Sequence, residues 1–373
     1  MSPIYSIYLH LPFCREICPF CAFAVLKDRG REKDFYLELM RAEWALLGQR
    51  FALDFAPLRS VYLGGGTPSR LSLAELESLL AMLPDLGPAV QVSMELNPED
   101  VDLAYAKGLK ALGVNRVSLG VQSFDAGCLK ALGRVHGPKD NHRALEALEA
   151  AGLKDFNLDL IFGYPGQSPA QLRADIKGAL ASGATHLSLY ALSIEAGSKL
   201  AVKPQWAAWV QAQEKDIAAA YLQSIEQIRQ AGMRQYEVSN FALAGFESRQ
   251  NQSNWNRENY LGLGMGAHGL VDDQRYANHR RLKEYRQGLK SAQLPWDLDE
   301  VLGAEEAQSE AWMLGLRRPE GVLLADFNLQ WGPDFERAQQ AGWLKLAGGR
   351  LSLTPQGLLL ADELTAYFWA RQN

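Results

Sequence analysis

An α/β fold on a parallel sheet, followed by a smaller helical unit, is the architecture this chain predicts, and three observations carry it. Six apolar runs (Ile4–Leu9, Val61–Gly64, Val90–Leu96, Arg116–Val121, Phe156–Phe162 and Leu187–Leu192) read as strands buried on both faces. Amphipathic stretches separate them, so strand and helix alternate as right-handed βα units, which suits a parallel sheet wound either as a barrel or as a doubly wound sheet. Near residue 200 the alternation stops and the text turns helical.

Taken in order, the helical stretches fall at about 32–49, 72–83, 101–112, 125–132 with 140–151, and 169–182. A long helix is expected over about 206–231, followed by the segment Tyr236-Glu-Val-Ser-Asn-Phe241. Beyond residue 280 helices are expected at about 301–316, 322–330 and 334–342. The run Trp343–Leu353 then alternates about Gly348-Gly349, a hairpin signal, and Pro355 opens a last helix. Helix, helix, hairpin and helix look like a winged helix. The expected division is a barrel-type domain over 1–235, a connecting segment with a Gly-rich loop over 236–280, and a winged-helix-like domain over 281–373.

Composition narrows the function. Hydrophobic residues make up 47% and charged residues 22% of 373 residues, ordinary globular values. No run approaches the ~20 apolar residues of a membrane-spanning helix. A formal charge of −5 gives no electrostatic case for nucleic acid, whose binding leans on basic surface. Winged helices often bind DNA, but on so acidic a chain a lid or docking module is the better expectation. Four cysteines and no secretory signal pattern give the expectation of a reducing, cytoplasmic setting, with peripheral association at a membrane left open.

Three of those cysteines, Cys14, Cys18 and Cys21, stand within eight residues, just past the first apolar run. A disulfide with an odd thiol is disfavoured, because the one distant partner is Cys128. Structural zinc needs a fourth ligand, for which His10 is near. Three soft thiolates on one short loop suit an iron–sulfur cubane better, each holding one iron and leaving one iron open. Cys128 itself, in Ala126-Gly-Cys-Leu-Lys130, reads as an inert helical cysteine.

The C-x3-C-x2-C spacing resembles the signature of radical S-adenosylmethionine (SAM) enzymes. Around it, Tyr8-Leu-His-Leu-Pro-Phe-Cys14, Gly64-Gly-Gly-Thr-Pro68, Gly120-Val-Gln-Ser-Phe124, Leu132-Gly-Arg-Val-His-Gly137, Asn157-Leu-Asp-Leu-Ile161 and Gly262-Leu-Gly-Met-Gly-Ala-His268 resemble the oxygen-independent coproporphyrinogen III oxidase-like family. The Gln122-Ser123 pair and the chain length are similar to its haem-chaperone branch. The resemblance implies a partial (β/α)6 TIM barrel. It also implies a [4Fe–4S] cluster on Cys14, Cys18 and Cys21, and SAM beside Tyr8, Phe20, Gly65, Gly66, Thr67, Glu95, Gln122, Arg134, Asp159, Ser193 and His268. The motifs are expected at or just past the C-terminal ends of successive strands, where βα barrels build active sites. An Arg134 guanidinium suits the carboxylates of SAM or of porphyrin propionates.

Two departures bear on function. The oxidases add a fourth cysteine two residues after the third, where this chain has Phe23; that weakens the reading of a radical enzyme acting on a tetrapyrrole, which stays as the alternative. The chaperone branch usually carries His-Asn-x-x-Tyr-Trp, where this chain reads Gln250-Asn-Gln-Ser-Asn-Trp255. Gln250 replaces the imidazole and Asn254 the tyrosine, so Asn251 and Trp255 carry over and His268 is left as the candidate haem ligand. The expected function is haem binding and delivery, with SAM, haem or another tetrapyrrole, and respiratory haem proteins as partners.

Overall fold

The computed structural model describes all residues except 31, 204, 205, 207, 210, 212, 328–331 and 371–373. Among the described residues six parallel strands stand side by side: β1 (Ser6–Leu11), β2 (Ser60–Gly65), β3 (Gln91–Leu96), β4 (Arg116–Gln122), β5 (Phe156–Phe162) and β6 (His186–Ala191). They pair in sequence order, each joined to the next through an intervening helical segment, the order of a βα barrel and not of a doubly wound sheet. Leu9, Val61, Leu63, Met94, Val117, Leu119, Leu158 and Leu187 are sealed from solvent between sheet and helices. Local chemistry starts those helices where the pattern expects: Ser72 with Glu75 and Ser168 with Gln171 form capping boxes, and Asp102 and Asp125 cap the helices Leu103–Ala111 and Ala126–Ala131.

The sheet runs beyond the six strands at both edges. On the β6 side, β7 (Arg234–Gln235) and β8 (Asn240–Ala242) continue it, with β8 antiparallel to β6. On the β1 side, β9 (Tyr260–Leu263) adds a seventh parallel strand, and β10 (His268–Val271), β11 (Gln274–Asn278) and β12 (Trp296–Val301) follow as an antiparallel meander. Between β8 and β9 the helix Arg249–Trp255 crosses from one edge to the other. It meets the first residues of strands: Gln250 reaches Ser6, and the Arg249 backbone N–H donates to Gln91. This helix is therefore a floor under the barrel, at the end opposite the cysteines.

These facts revise the domain boundaries expected from sequence. The segment 236–280 is part of the sheet, and β12 and the helix Leu282–Lys290, packed on the helix Lys33–Arg50, extend the barrel unit to about residue 301. A second core then forms around Trp312, Leu316, Phe335, Leu351 and Phe368. Arg257 and Arg275, both paired with Glu310, tie it to the barrel. In that unit the helix expected at 322–330 begins instead as a strand, Val322–Leu323, paired with Arg350–Leu353 in a three-stranded wing, before a single turn over Leu324–Phe327; the rest of the expected helix lies in residues outside those described. Of the long helix expected at 206–231, Glu214–Gln230 is helical, and part of the remainder falls on residues outside those described. No helix among the described residues is long and apolar enough to cross a membrane.

Candidate cofactor-binding site

The cysteine loop is closed at its base. Just past β1, Phe13–Cys14 pairs with Leu26–Lys27, so residues 15–25 leave and return at one point. The glycine run of β2 closes on that base: Gly66 N–H donates to Leu11 O at 2.9 Å and Thr67 N–H to Phe13 O at 2.9 Å. A Cβ on Gly66 would lie 2.5 Å from the Pro12 backbone, and one on Gly65, at φ +105°, 2.4 Å from the His10 ring. These glycines are thus demanded first by the approach of β1, and their bare backbone then faces the cavity.

A cavity of about 450 Å³ opens at the carboxyl ends of the strands. Cys14, Cys18, Cys21 and Phe20 line one wall, with Gly65, Gly66, Thr67, Glu95, Gln122, Arg134, Asp159 and Ser193 around the rest. Twelve residues scattered over 180 positions meet because six strands end at one mouth. Asp159 differs from expectation in depth: it is the fourth residue of the seven-residue β5 and points into the barrel interior, not past the strand end. Gln122 ends β4 at φ +62° beside a register shift, a backbone state that non-glycine residues seldom adopt and that turns this side chain to the cavity.

The four other expected residues do not line this cavity. Tyr8 stands behind it, stacked on Tyr62 at 6.2 Å with its hydroxyl 3.0 Å from His10 Nδ1. His268 opens β10 and is exposed. Asn251 and Trp255 lie in the floor helix, and the turn Asp272–Asp273 at the far end of β10 from His268 meets Arg257 just past that helix. His268 therefore lies at one end of the strand β10, and Asn251 and Trp255 belong to the helix near its other end. Gln250 is 4% exposed, bonded to Ser6 and Asn254, so the motif in which it stands is part of the barrel floor.

Electrostatics follow from burial. Glu95 accepts from Tyr62 Oη at 2.9 Å and from Gly65 N–H at 3.0 Å, and burial, with the Asp159 charge nearby, pushes its carboxyl up to about 7. Burial also raises Asp159, which accepts from Asn157 and Ser118. Cys14 is pushed up to about 11 by burial, and Cys21 is raised by the same cause, so both are neutral thiols whose protons iron binding would release to solvent.

The donor set fits an iron–sulfur cluster with an anionic ligand beside it. Thr67 Oγ1 donates to Cys14 Sγ at 3.6 Å and Arg134 Nη1 to Cys18 Sγ at 3.3 Å, the kind of hydrogen bond that tunes cluster sulfur. Arg134 Nη2 donates to Asn97 Oδ1 at 2.6 Å, while its buried Nε has no partner among the described residues. That unspent donor suits a carboxylate-bearing ligand. Closed zinc loses its fourth ligand, because His10 Nε2 is 2.8 Å from Ala24 O and Nδ1 meets Tyr8, and burial lowers the ring to about 4. Cys128 sits 3% exposed in a separate cluster with Leu132, Tyr164 and Leu200.

Sequence reasoning missed Asn97, which joins Arg134 to Thr67, together with Tyr62, Ser118 and Tyr190 of the cavity wall. The signal for Asn97 was present: it directly follows β3 and precedes Pro98, where an extended residue carries its side chain past a strand end.

Comparison with known proteins agrees with this geometry. Residues 8–177 match the radical SAM superfamily and residues 302–360 the HemN C-terminal domain. The chain is 33% identical to the heme chaperone HemW of Bacillus subtilis, over 97% of this chain and 98% of that protein. It is 30% identical to the heme chaperone HemW of Escherichia coli over 99% of both. The fold matches coproporphyrinogen III oxidase (HemN) from Escherichia coli at a TM-score of 0.77, covering 98% of this chain and 90% of that one at 21% identity. The expected partial barrel with a C-terminal unit is thus the fold of this chain, and its superfamily implies a [4Fe–4S] cluster and SAM. With thiols, glycine cradle and guanidinium gathered at one barrel mouth, and relatives matching from end to end, this chain belongs to the radical SAM superfamily and, within it, to the family of the heme chaperone HemW.

Proposed function

We propose that the chain is a haem-handling protein that holds a [4Fe–4S] cluster on Cys14, Cys18 and Cys21 and binds SAM in the adjoining cavity, receiving haem and passing it to respiratory haem proteins in the cytoplasm or at the membrane face. The observation that carries the reading is the convergence on one cavity of three thiols, the Gly65-Gly66 backbone and an Arg134 Nε donor that has no partner among the described residues. When bound, the cluster would supply an electron to SAM through its open iron. The chain's own residues bind and orient: Gly65, Gly66 and Thr67 offer backbone groups, Glu95 accepts from a polar hydrogen of SAM, and Arg134 meets its carboxylate. Phe20, Gln122, Asp159 and Ser193 complete the wall.

Glu95 tests the SAM assignment. Glu95→Ala is expected to lower SAM affinity about tenfold or more with iron content unchanged, because a hydrogen bond to a charged group is worth roughly 1.5–3 kcal/mol. Calorimetric titration of the reconstituted protein checks it, and wild-type affinity would remove Glu95 from the pocket.

For haem, the support is the family itself together with His268. This imidazole is exposed, and desolvation with Arg280 and Arg275 nearby lowers its pKa, which keeps a ring nitrogen free at neutral pH. Haem titration followed at the Soret band is expected to lose its signal in His268→Ala. Gln250→His is expected to leave it as in the wild type, because that side chain is buried in the barrel floor. A Soret band that grows in Gln250→His would return the haem to the floor helix.

The alternative, a radical enzyme acting on a tetrapyrrole, has Phe23 against it: this side chain is 69% exposed beside the cysteines, where the oxidases carry a further cysteine. Release of 5′-deoxyadenosine on cluster reduction, with turnover of coproporphyrinogen III, would favour the enzyme; haem retention without turnover would favour the carrier.

A further inference from the structure

Behind the cavity residue Asp159 the barrel interior holds a line of polar side chains, Asn157, His186 and Tyr236, that the cavity chemistry does not use. It runs from Asp159 to the floor helix. Asn157 Nδ2 donates to Asp159 Oδ1 at 2.8 Å and also lies 2.8 Å from Ser118 Oγ. Asn157 Oδ1 is 2.6 Å from His186 Nδ1, His186 Nε2 is 2.8 Å from Tyr236 Oη, and Asn251 Nδ2 donates to Tyr236 Oη at 3.1 Å. Asn157 is 2% and His186 1% exposed, so water does not compete for these groups.

The donors are fixed one by another along the line. With the Asp159 carboxylate accepting, the Asn157 amide must turn its nitrogen that way and its oxygen toward His186. His186 Nδ1 must then carry the ring proton, which leaves Nε2 as the acceptor. Tyr236 therefore donates to Nε2, and its oxygen is free to accept from Asn251. If the Tyr236 hydroxyl is removed, Nε2 becomes a buried acceptor without a donor, and the ring is held only by its Nδ1–H bond to Asn157 Oδ1. That bond loosens as the ring loses its second anchor, and although Ser188 Oγ still donates to Asn157 Oδ1 at 3.1 Å, the amide that bonds Asp159 is held less firmly.

We propose that His186, Tyr236 and Asn251 are positioning residues that hold the Asp159 carboxylate toward the cavity, coupling the floor helix Arg249–Trp255 to ligand binding at the opposite end of the barrel. The proposal rests on the reading of Asp159 as a SAM contact. It gives Asn251, a residue of the altered haem motif, a role that needs no haem.

Anaerobically reconstituted full-length protein is titrated with SAM by calorimetry, with iron content measured on the same samples. Tyr236→Phe, which keeps the ring and loses one oxygen, is expected to weaken SAM binding about fivefold, within the range of energetic coupling through packed polar networks. His186→Leu is expected to weaken it at least as much, and His186→Asn, which keeps a donor at the Nδ1 position, to recover most of the loss. Wild-type affinity in both Tyr236→Phe and His186→Leu overturns the proposal, as does His186→Asn binding no better than His186→Leu. Asp159→Ala in the same series separates the two failures. A loss there without a loss in the relay variants overturns the coupling alone, and no loss there overturns the reading on which it stands. Tyr236→Phe keeps the test decisive if the His186 variants do not fold.

Discussion

Cys18→Ala is expected to leave the reconstituted chain without its iron, whereas Cys128→Ala keeps about four irons per chain, the content of one cubane. A cubane held by three protein thiolates has no spare ligand, so removing one sulfur exposes a second iron to solvent. Cys18 is half-buried in the cavity wall, and its Sγ already accepts from Arg134. Nothing else on the loop can replace it: His10 is pinned between Ala24 and Tyr8, and Glu16 is paired with Lys27. Cys128 is shielded by Leu132, Ile161 and Leu200 in another part of the core, its N–H capped by Asp125. Iron analysis of both variants after anaerobic reconstitution reads the outcome, and unchanged iron in Cys18→Ala would overturn the cluster assignment.

Much of the site was legible because strands buried on both faces leave continuous apolar text, and a parallel βα repeat puts the end of every such run at one mouth. Glu95 and Gln122 could be located from their strands alone. Asp159 was misjudged in depth because an open barrel has a polar interior: Asn157, Asp159, His186 and Ser188 are all inward residues of apolar strands, and a polar residue in such a run does not by itself tell how deep it lies. Boundaries failed for a different reason. Strand β12 is mostly exposed and acidic, Asp297-Leu-Asp-Glu300, so it has no strand signal of its own and exists through its ladder with β11. Likewise Val322–Leu323 is a strand only because Arg350–Leu353 is there to pair with it. The crossing under the barrel, by which the helix Arg249–Trp255 becomes a floor, is set by partners 158 and 244 residues away and leaves no local trace.

Glu43 gives the largest effect expected on stability. It lies fully buried on the helix Lys33–Arg50, where Oε2 accepts from Gly264 N–H at 2.8 Å and from Tyr285 Oη at 2.6 Å, and Oε1 accepts from Asn278 Nδ2 at 2.5 Å. Tyr36, two turns earlier, donates to His10 O and accepts from Met265 N–H, each at 2.9 Å, so this helix joins the Gly-rich loop to the strand that leads into the cysteine loop. Glu43→Leu strands three buried donors and is expected to cost on the order of 4 kcal/mol, read as a fall in the urea unfolding free energy. Burial pushes the Glu43 carboxyl from its ordinary 4.5 up to about 7. The folded state thus binds this proton more tightly than the unfolded chain does. Its stabilising contribution is complete below pH 4.5 and is lost as pH rises through about 7. Between pH 5 and pH 8 the wild type is expected to lose on the order of 3 kcal/mol from this group, and Glu43→Gln, which cannot ionise, to lose none of that share. The glutamine also has a partner within reach, since Asn278 Oδ1 has none among the described residues and a turn of that amide would present it. Equal pH slopes in wild type and Glu43→Gln would show that Glu43 keeps its charge in the fold, with the three donors outweighing burial.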